Sequence, residues 1–146
     1  MAAMREFTAM KRVARAGIAV PTPIDSNRHL IAMSMFRGSE LRVITLTDPA
    51  VMLRKILLSI RQMYCNARIV HGDLSEYNIL VAESKDFTII DWPQSVAKDD
   101  PRSNPLLARD VANTVGFFAR KHNVQVPIRH ALEFIQGKRK RLGRFQ

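Results

Sequence analysis

Cysteine is scarce in this sequence and long apolar runs are missing, and each of these features excludes a class of protein. Cys65 is the single cysteine, so a disulfide-stabilised extracellular scaffold is excluded. No apolar run approaches the roughly 18 residues that a membrane-spanning helix needs. The N-terminal segment lacks the apolar core of a secretory signal peptide. We therefore expect a cytoplasmic protein that does not sit in a membrane.

Acidic residues are also outnumbered, since 23 lysines and arginines face 13 aspartates and glutamates, for a net charge of +10. Such an excess favours polyanionic partners: nucleic acid, nucleotide phosphates or acidic lipid. Residues 137–146, GKRKRLGRFQ, hold five basic residues and no acid. This basic C-terminal tail is either a solvated, frayed end or an RNA-contacting segment. Composition does not separate the two interpretations.

The chain has 146 residues, the length of one ordinary domain, and it has enough apolar residues for a packed core. Apolar spacing and caps predict helices at 2–16, from Asp48 and Pro49 to about Tyr64, from Asn104 onward, and after Pro127. Strands are predicted at 29–35, 41–45, 79–82 and 87–91. This order of elements indicates an α+β fold rather than a doubly wound sheet.

Two stretches carry chemistry: HGDLSEYNIL at 71–80 and FTIID at 87–91. Their pattern is H-x-D-x-x-x-x-N, an apolar strand, a hairpin turn and a second strand ending in Asp91. Phosphoryl transfer from ATP requires a carboxylate at the acceptor hydroxyl and hard oxygen ligands for magnesium. The hairpin would return Asp91 to the vicinity of Asn78. Asp73 is thus the candidate base, and Asn78 and Asp91 are the candidate metal ligands.

A purely structural interpretation of the same residues is turn formation, because Asn and Asp cap strands and turns through local hydrogen bonds. The complete pattern makes that explanation the poorer one. His71 is more consistent with an orienting or packing residue than with a metal ligand, and no second His or Cys lies at zinc spacing. Ser75 lacks the G-x-S-x-G context of an esterase nucleophile.

The two motifs resemble those of the RIO-type atypical protein kinases. The resemblance rests on HGDLSEYNIL and IIDWPQSV, and it extends through REFTAMK, VPTPIDSNRHLIAM and ARDVANTVGFF, roughly residues 3 to 120. PIDSNRH is closer to the RIO branch that usually carries an N-terminal winged helix, whereas LSEYN is closer to the other branch. The implied fold is protein-kinase-like, mainly the C-terminal lobe with a remnant of the small lobe. The implied boundaries are a partial kinase domain at 1–136 and the tail at 137–146.

The resemblance also implies a role for each matching residue. Asp73 matches the catalytic-loop aspartate, and Asn78 and Asp91 match the ligands of Mg²⁺, with Mn²⁺ as an alternative. Residues 33–35 match the segment that meets the adenine of ATP, and Glu6 matches the partner of an ATP-binding lysine. The remaining matches are the loop residues Ser75 and Glu76, which distinguish RIO proteins from other kinases, and Asp110, which braces the catalytic loop. The nucleotide-binding residues would be Met33, Ser34 and Met35. On sequence alone, the simpler interpretations are a solvated helix residue for Glu6 and a buried strand for residues 33–35.

The family's glycine-rich loop and strand lysine normally precede the glutamate helix, and neither is found here ahead of residue 2. We therefore expect an N-terminally truncated kinase domain with weak or absent phosphotransfer. The family's role implies ATP and the pre-ribosomal small subunit or its RNA as partners, while the oligomeric state stays open. Two alternatives remain: a small-molecule phosphotransferase of the aminoglycoside or choline kinase type, and a non-catalytic, RNA-binding pseudokinase.

Overall fold

A computed structural model describes residues 2–83 and 85–146. The main body is formed by the helices α1 (Ala2–Arg15), α2 (Pro49–Gln62), α3 (Ser103–His122) and α4 (Ile128–Ile135). The strands within these described ranges are short: β1 (Pro23–Ser26), β2 (Ile31–Met33), β3 (Ser39–Glu40), β4 (Ile69–Val70), β5 (Ile79–Val81), β6 (Phe87–Ile89) and β7 (Val96–Ala97). The predicted α+β class is confirmed.

The strands form three small antiparallel sheets, ordered β1–β2, β3–β5–β6 and β4–β7. In the second sheet Ile79 pairs with Ile89 and Val81 pairs with Phe87. This register makes β5 and β6 a hairpin whose open end carries Asn78 on one strand and Ile90 on the other. The hairpin therefore brings Asn78, at the end of the HGDLSEYN segment, next to the residues that follow β6.

Helix α2 is the centre of the apolar core. The Asp48 carboxylate accepts from the Val51 amide at 3.1 Å and Pro49 occupies the first turn, as the sequence predicts. One face buries Leu53, Ile56, Leu57 and Ile60, and α3 and α4 pack against α2. At its C-terminal end α2 passes into a π-helical turn at Met63–Ala67, followed by Arg68 in the left-handed region. The chain then enters β4 and, after it, residues 71–78, which we call the functional loop.

Two predicted strands are partly wrong. Residues 41–43 form a 3₁₀-helical turn instead of a strand, with Leu41 buried and the Arg42 amide bonded to the Glu76 carbonyl at 3.3 Å. The strand predicted at 29–35 is confined to Ile31–Met33. In both segments tertiary contacts override a local preference that spans only a few residues. No helix among the described residues is both long and apolar enough to cross a bilayer.

The last ten residues fold back onto the helices. Leu142 is buried and Phe145 is partly buried, and residues Gln125 and Gln146 exchange two backbone hydrogen bonds of 2.7 and 3.1 Å. The Arg54 side chain donates to the Gly143 carbonyl and stacks on the Phe145 ring, 4.1 Å from its centroid. The C-terminal tail is therefore packed against the helices, and the interpretation of residues 137–146 as a solvated, frayed end does not hold in the structure. The domain boundary at 136/137 stays a prediction.

Candidate active site

His71 begins the functional loop as a fully buried side chain. Its Nε2 donates to the Ile90 carbonyl at 2.9 Å, and its Nδ1 accepts from the Asp73 amide at 3.2 Å. Burial lowers the pKa of His71, an effect that the Ile90 hydrogen bond and the charges of Asp73 and Asp91 oppose. The ring is thus a neutral imidazole, protonated on Nε2. It joins the loop to the end of β6, in agreement with an orienting role.

Asp110 of α3 holds the same loop from the other side. Its two carboxylate oxygens accept from the Gly72 amide at 2.8 Å and from the Leu74 amide at 2.9 Å. Burial raises the pKa of Asp110 to about 6, and those two amide donors partly oppose the rise. The neighbours Arg109 and Asn113 donate to the carbonyls of Gly72 and Leu74. Side chains of helix α3 therefore bind both the amide donors and the carbonyl acceptors of the loop backbone, and hold it in place.

The loop presents Asp73, Asn78 and Asp91 at one place. Asn78 Nδ2 donates to the Asp73 carbonyl at 2.6 Å, and the Ile90 amide donates to the Asn78 carbonyl at 2.9 Å. Asp73 and Asp91 are exposed, and within the described residues no hydrogen bond or ion pair engages either carboxylate. Because Asn78 uses its amide nitrogen, its Oδ1 stays available. The structure thus brings the backbones of Asp73, Asn78 and Asp91 close together, and their side chains offer two unpaired carboxylates and one free amide oxygen.

Asp91 has a left-handed backbone conformation, with φ of 65°. Non-glycine residues are uncommon there, and Asp and Asn tolerate it best. The turn changes the chain direction directly after Ile90 and before the buried Trp92. This backbone conformation sets the direction in which the carboxylate of Asp91 leaves the hairpin.

Glu6 connects α1 to the same turn. Its Oε1 accepts from the Trp92 amide at 3.2 Å. The Trp92 indole donates to the Ile89 carbonyl at 3.1 Å, and its ring lies 4.6 Å from the His71 ring centroid. The family resemblance implies a lysine as the partner of Glu6, and Trp92 is not among the site residues predicted from the sequence. The tryptophan beside Asp91 in the quoted motif is the signal that points to it.

Ser75 and Glu76 shape the middle of the loop. Ser75 Oγ accepts from the Tyr77 amide at 3.3 Å, and the Ser75 carbonyl accepts from the Asn78 amide at 3.0 Å. The Glu76 carboxylate lies 3.9 Å from an Arg120 guanidinium nitrogen. Ser75 therefore closes the turn that leads to Asn78, and the Glu76 side chain faces Arg120 of α3.

Residues 33–35 lie on the β1–β2 hairpin and its exit. The Ser34 amide donates to the Thr22 carbonyl at 2.9 Å, and the Thr22 amide donates to Ser34 Oγ at 2.7 Å. Met33 and Met35 are exposed, which is inconsistent with the simpler interpretation of a buried strand. In the described part of the chain, no hydrogen bond joins residues 33–35 to the loop at 71–78.

The donor set fits Mg²⁺. Magnesium is usually held by one or two protein oxygen ligands together with phosphate oxygens and water, which matches Asn78 Oδ1 and the Asp91 carboxylate. Among residues 2–83 and 85–146 there is no cluster of three or more His, Cys, Asp or Glu side chains of the kind that holds a metal by protein ligands alone. A magnesium ion held by these two oxygen ligands would take its remaining ligands from phosphate oxygens or water.

A loop braced by a buried aspartate, a hairpin carrying two candidate oxygen ligands and packed helices are the features of the larger lobe of a protein-kinase-like fold. The family model of the RIO domain matches residues 1–131. The chain belongs to the RIO domain family.

Relatives and solved structures agree with that membership. The chain is 36% identical over 124 residues to a serine/threonine-protein kinase rio2 of Dictyostelium discoideum, covering 84% of this chain and 24% of the relative. It is 34% identical over 145 residues to the RIO-type serine/threonine-protein kinase Rio2 of Methanocaldococcus jannaschii, covering 92% and 53%. A crystal structure of a Rio2 kinase–ADP/Mg²⁺–phosphoaspartate complex from Chaetomium thermophilum superposes with a TM-score of 0.80 at 32% identity, covering 89% of this chain and 43% of that one. The chain thus spans about half or less of the length of these proteins.

Proposed function

We propose that this chain binds magnesium–ATP at Asp73, Asn78 and Asp91 and serves as part of a RIO-type serine/threonine kinase or ATPase. The observation that carries the proposal is the Asn78 side chain, which bonds the Asp73 carbonyl through Nδ2 and keeps Oδ1 free, while the Asn78 carbonyl bonds the amide of Ile90, the residue before Asp91. The ADP/Mg²⁺ complex of the similar Rio2 kinase supports the choice of ligand. Membership of the RIO family favours this function over a small-molecule phosphotransferase.

Each residue has a defined part in that activity. A magnesium ion held by Asn78 and Asp91 would neutralise charge on the phosphates. Asp73 orients the acceptor hydroxyl or water and takes its proton. His71 and Asp110 hold the loop so that Asp73 stays in place, and the backbone of residues 33–35 receives the adenine.

The acceptor of the phosphoryl group is a further part of the proposal. The Rio2 kinase complex contains a phosphoaspartate. Asp73 and Asp91 are the two exposed carboxylates of the site described here, so an enzyme aspartate is a candidate acceptor alongside a protein hydroxyl or water. The sequence of 146 residues contains no glycine-rich loop, so we expect weak nucleotide binding and slow turnover from these residues alone.

The biological setting follows from the family resemblance and the charge. We assign the chain a role in maturation of the small ribosomal subunit, with pre-ribosomal RNA as the polyanionic partner that a net charge of +10 favours. A cytoplasmic location remains our expectation.

Calorimetric titration with ATP, with and without Mg²⁺, tests the nucleotide site. We expect magnesium-dependent binding that Asp91→Asn abolishes, because the amide keeps the left-handed backbone but loses the charged ligand. Asp99→Asn is the matched control: it removes the same charge from a carboxylate that is 80% exposed and pairs with Arg68. Asp73→Asn should keep binding and lose turnover. Equal binding by wild type and Asp91→Asn would contradict the assignment.

A further inference from the structure

The C-terminal segment forms a basic surface that lies outside the proposed nucleotide site. Its exposed side chains are Lys138, Lys140, Arg141 and Arg144, and we call them, with Arg54 and Leu58 of α2, the tail surface. Within the described residues, no hydrogen bond or ion pair engages the side chains of Arg141 and Arg144. Two unpaired guanidinium groups are therefore available to a ligand.

The C-terminal segment that carries this surface has a fixed shape, because apolar side chains of the segment pack against the helices. Leu142 is buried, Phe145 lies under the Arg54 guanidinium, and Arg61 donates to the Arg139 carbonyl at 3.1 Å. The backbone between these anchors is irregular rather than helical. The free basic side chains consequently project from a backbone that is held at both ends.

Neighbouring acids do not cancel the charge of the tail surface. Glu133 is the acid that contacts the segment, and it pairs with Arg129 at 2.9 Å and with Arg139 at 3.4 Å. The Arg129 hydrogen bond is the main cause that lowers the pKa of Glu133, so the carboxylate stays charged but is matched by two arginines. The remaining lysines and arginines keep their positive field.

A shallow cavity of about 470 Å³ opens between these arginines. Arg54, Arg141 and Arg144 line it together with the apolar side chains of Leu58 and Phe134, and Leu58 is 46% exposed. Guanidinium groups bind phosphate oxygens through two parallel hydrogen bonds, and their planes also stack on nucleobases. The arginines around the cavity could therefore bind a phosphate, and the apolar side chains inside it could contact a nucleobase.

We propose that the tail surface binds single-stranded nucleic acid, with Arg141 and Arg144 on phosphates and an unstacked base over Leu58. A membrane surface fits less well, because the apolar residues of the segment, Leu142 and Phe145, face the helices and not solvent. A duplex fits less well because its bases are not available to the apolar floor. This site is independent of the proposed nucleotide site, so Asp91→Asn leaves it intact.

The test is the fluorescence anisotropy of a labelled 12-nucleotide oligo-uridylate with the purified chain, measured as a function of NaCl concentration. Arg141→Gln/Arg144→Gln should weaken binding about tenfold at 0.1 M salt and reduce the slope of log K against log salt by about 1.4, which is two lost phosphate contacts at 0.7 each. The matched control, Arg12→Gln/Arg15→Gln, removes two exposed arginines from α1 and should change the affinity less than about threefold. Equal losses in the two double variants would overturn the site, as would no loss in either.

A second comparison separates nucleic acid from other polyanions. Leu58→Ser should weaken oligo-uridylate binding several-fold while leaving the affinity for inorganic polyphosphate of equal charge unchanged. Lys140→Gln, which alters none of the packed residues, should reduce the salt slope by about 0.7. Preferential binding to phosphatidylserine vesicles or to poly-glutamate, or an unchanged oligo-uridylate affinity in Leu58→Ser, would overturn the proposal.

Discussion

Gly72 lies at a close backbone approach in the functional loop. Its φ is 86°, and a Cβ there would lie 2.4 Å from the Gln94 carbonyl oxygen. Gly17 has a similar φ of 79° but open space around it. The two positions therefore separate the effect of steric contact from that of backbone conformation.

Gly72→Ala should destabilise the protein by about 3 kcal/mol or more, of which backbone strain supplies about 1 and the forced displacement of residue 94 the rest. Gly17→Ala, with strain alone, should cost about 1 kcal/mol. Urea denaturation monitored by circular dichroism measures both losses. Equal losses would mean that the segment at residue 94 moves freely away from the loop.

His71 and Asp110 have opposite effects on the pH dependence of stability. The lowered pKa of His71 means that the unfolded chain binds an extra proton below about pH 6.5, so stability falls as pH falls. Because the pKa of Asp110 is raised from 3.8 to about 6 in the folded chain, the unfolded chain loses this proton at a lower pH than the folded chain does. The free energy of unfolding therefore falls as pH rises from 3.8 to about 6. Between pH 5 and 6 the two contributions oppose each other.

Asp110→Asn should therefore uncover the histidine contribution. In this variant the free energy of unfolding should decrease as pH falls from 6.5 to 5, by up to about 1.4 kcal/mol per pH unit, whereas the wild type should be flatter. The substitution should also cost about 1–3 kcal/mol at pH 7, because one amide donor of the loop loses its acceptor. Urea melts at several pH values measure both effects, and Asp99→Asn is the exposed control. Parallel pH profiles for Asp110→Asn and wild type would contradict the prediction.

At the scale of elements, a hydrogen bond between Glu6 and the Trp92 amide joins α1 to the turn after β6. Glu6→Ala removes the acceptor of the Trp92 amide and should lower magnesium–ATP affinity, because Asp91 directly precedes that amide. The net value of such a bond is about 1 kcal/mol, which corresponds to a loss of about fivefold. Glu6→Gln keeps an acceptor oxygen and should bind as wild type in the same titration. A similar loss in both variants would show that the charge of Glu6 matters and not the hydrogen bond.

The elements also differ in how far they can be predicted from the sequence. The helices were predictable, because periodic apolar residues and caps such as Asp48 and Pro49 are local signals repeated over several turns. The β4–β7 pair was not, because two residues per strand carry no periodicity. The turn at 41–43 depends on Glu76, and the Glu6–Trp92 contact joins residues 86 positions apart, so neither has a local signature. Asp73, Asn78 and Asp91 were identifiable as a group because one hairpin links them.

At the scale of the molecule, the C-terminal segment behaves as part of the core. Leu142 is 7% exposed, and Leu142→Ala should reduce the free energy of unfolding by about 2–3 kcal/mol through lost burial and a cavity. Leu30→Ala, at a leucine that is 69% exposed, is the matched control and should have almost no effect. Thermal melts of both variants give the comparison. A neutral Leu142→Ala would mean that the segment is detached in solution.

The β5–β6 hairpin also determines which length changes the site can accept during evolution. The pairs Ile79–Ile89 and Val81–Phe87 fix the offset between Asn78 and Asp91, so one residue inserted within either strand would turn the following side chains to the opposite face. Residues added to the turn between 82 and 86 leave those pairs unchanged. Related chains should therefore differ in length within that turn and not between the turn and either Asn78 or Asp91.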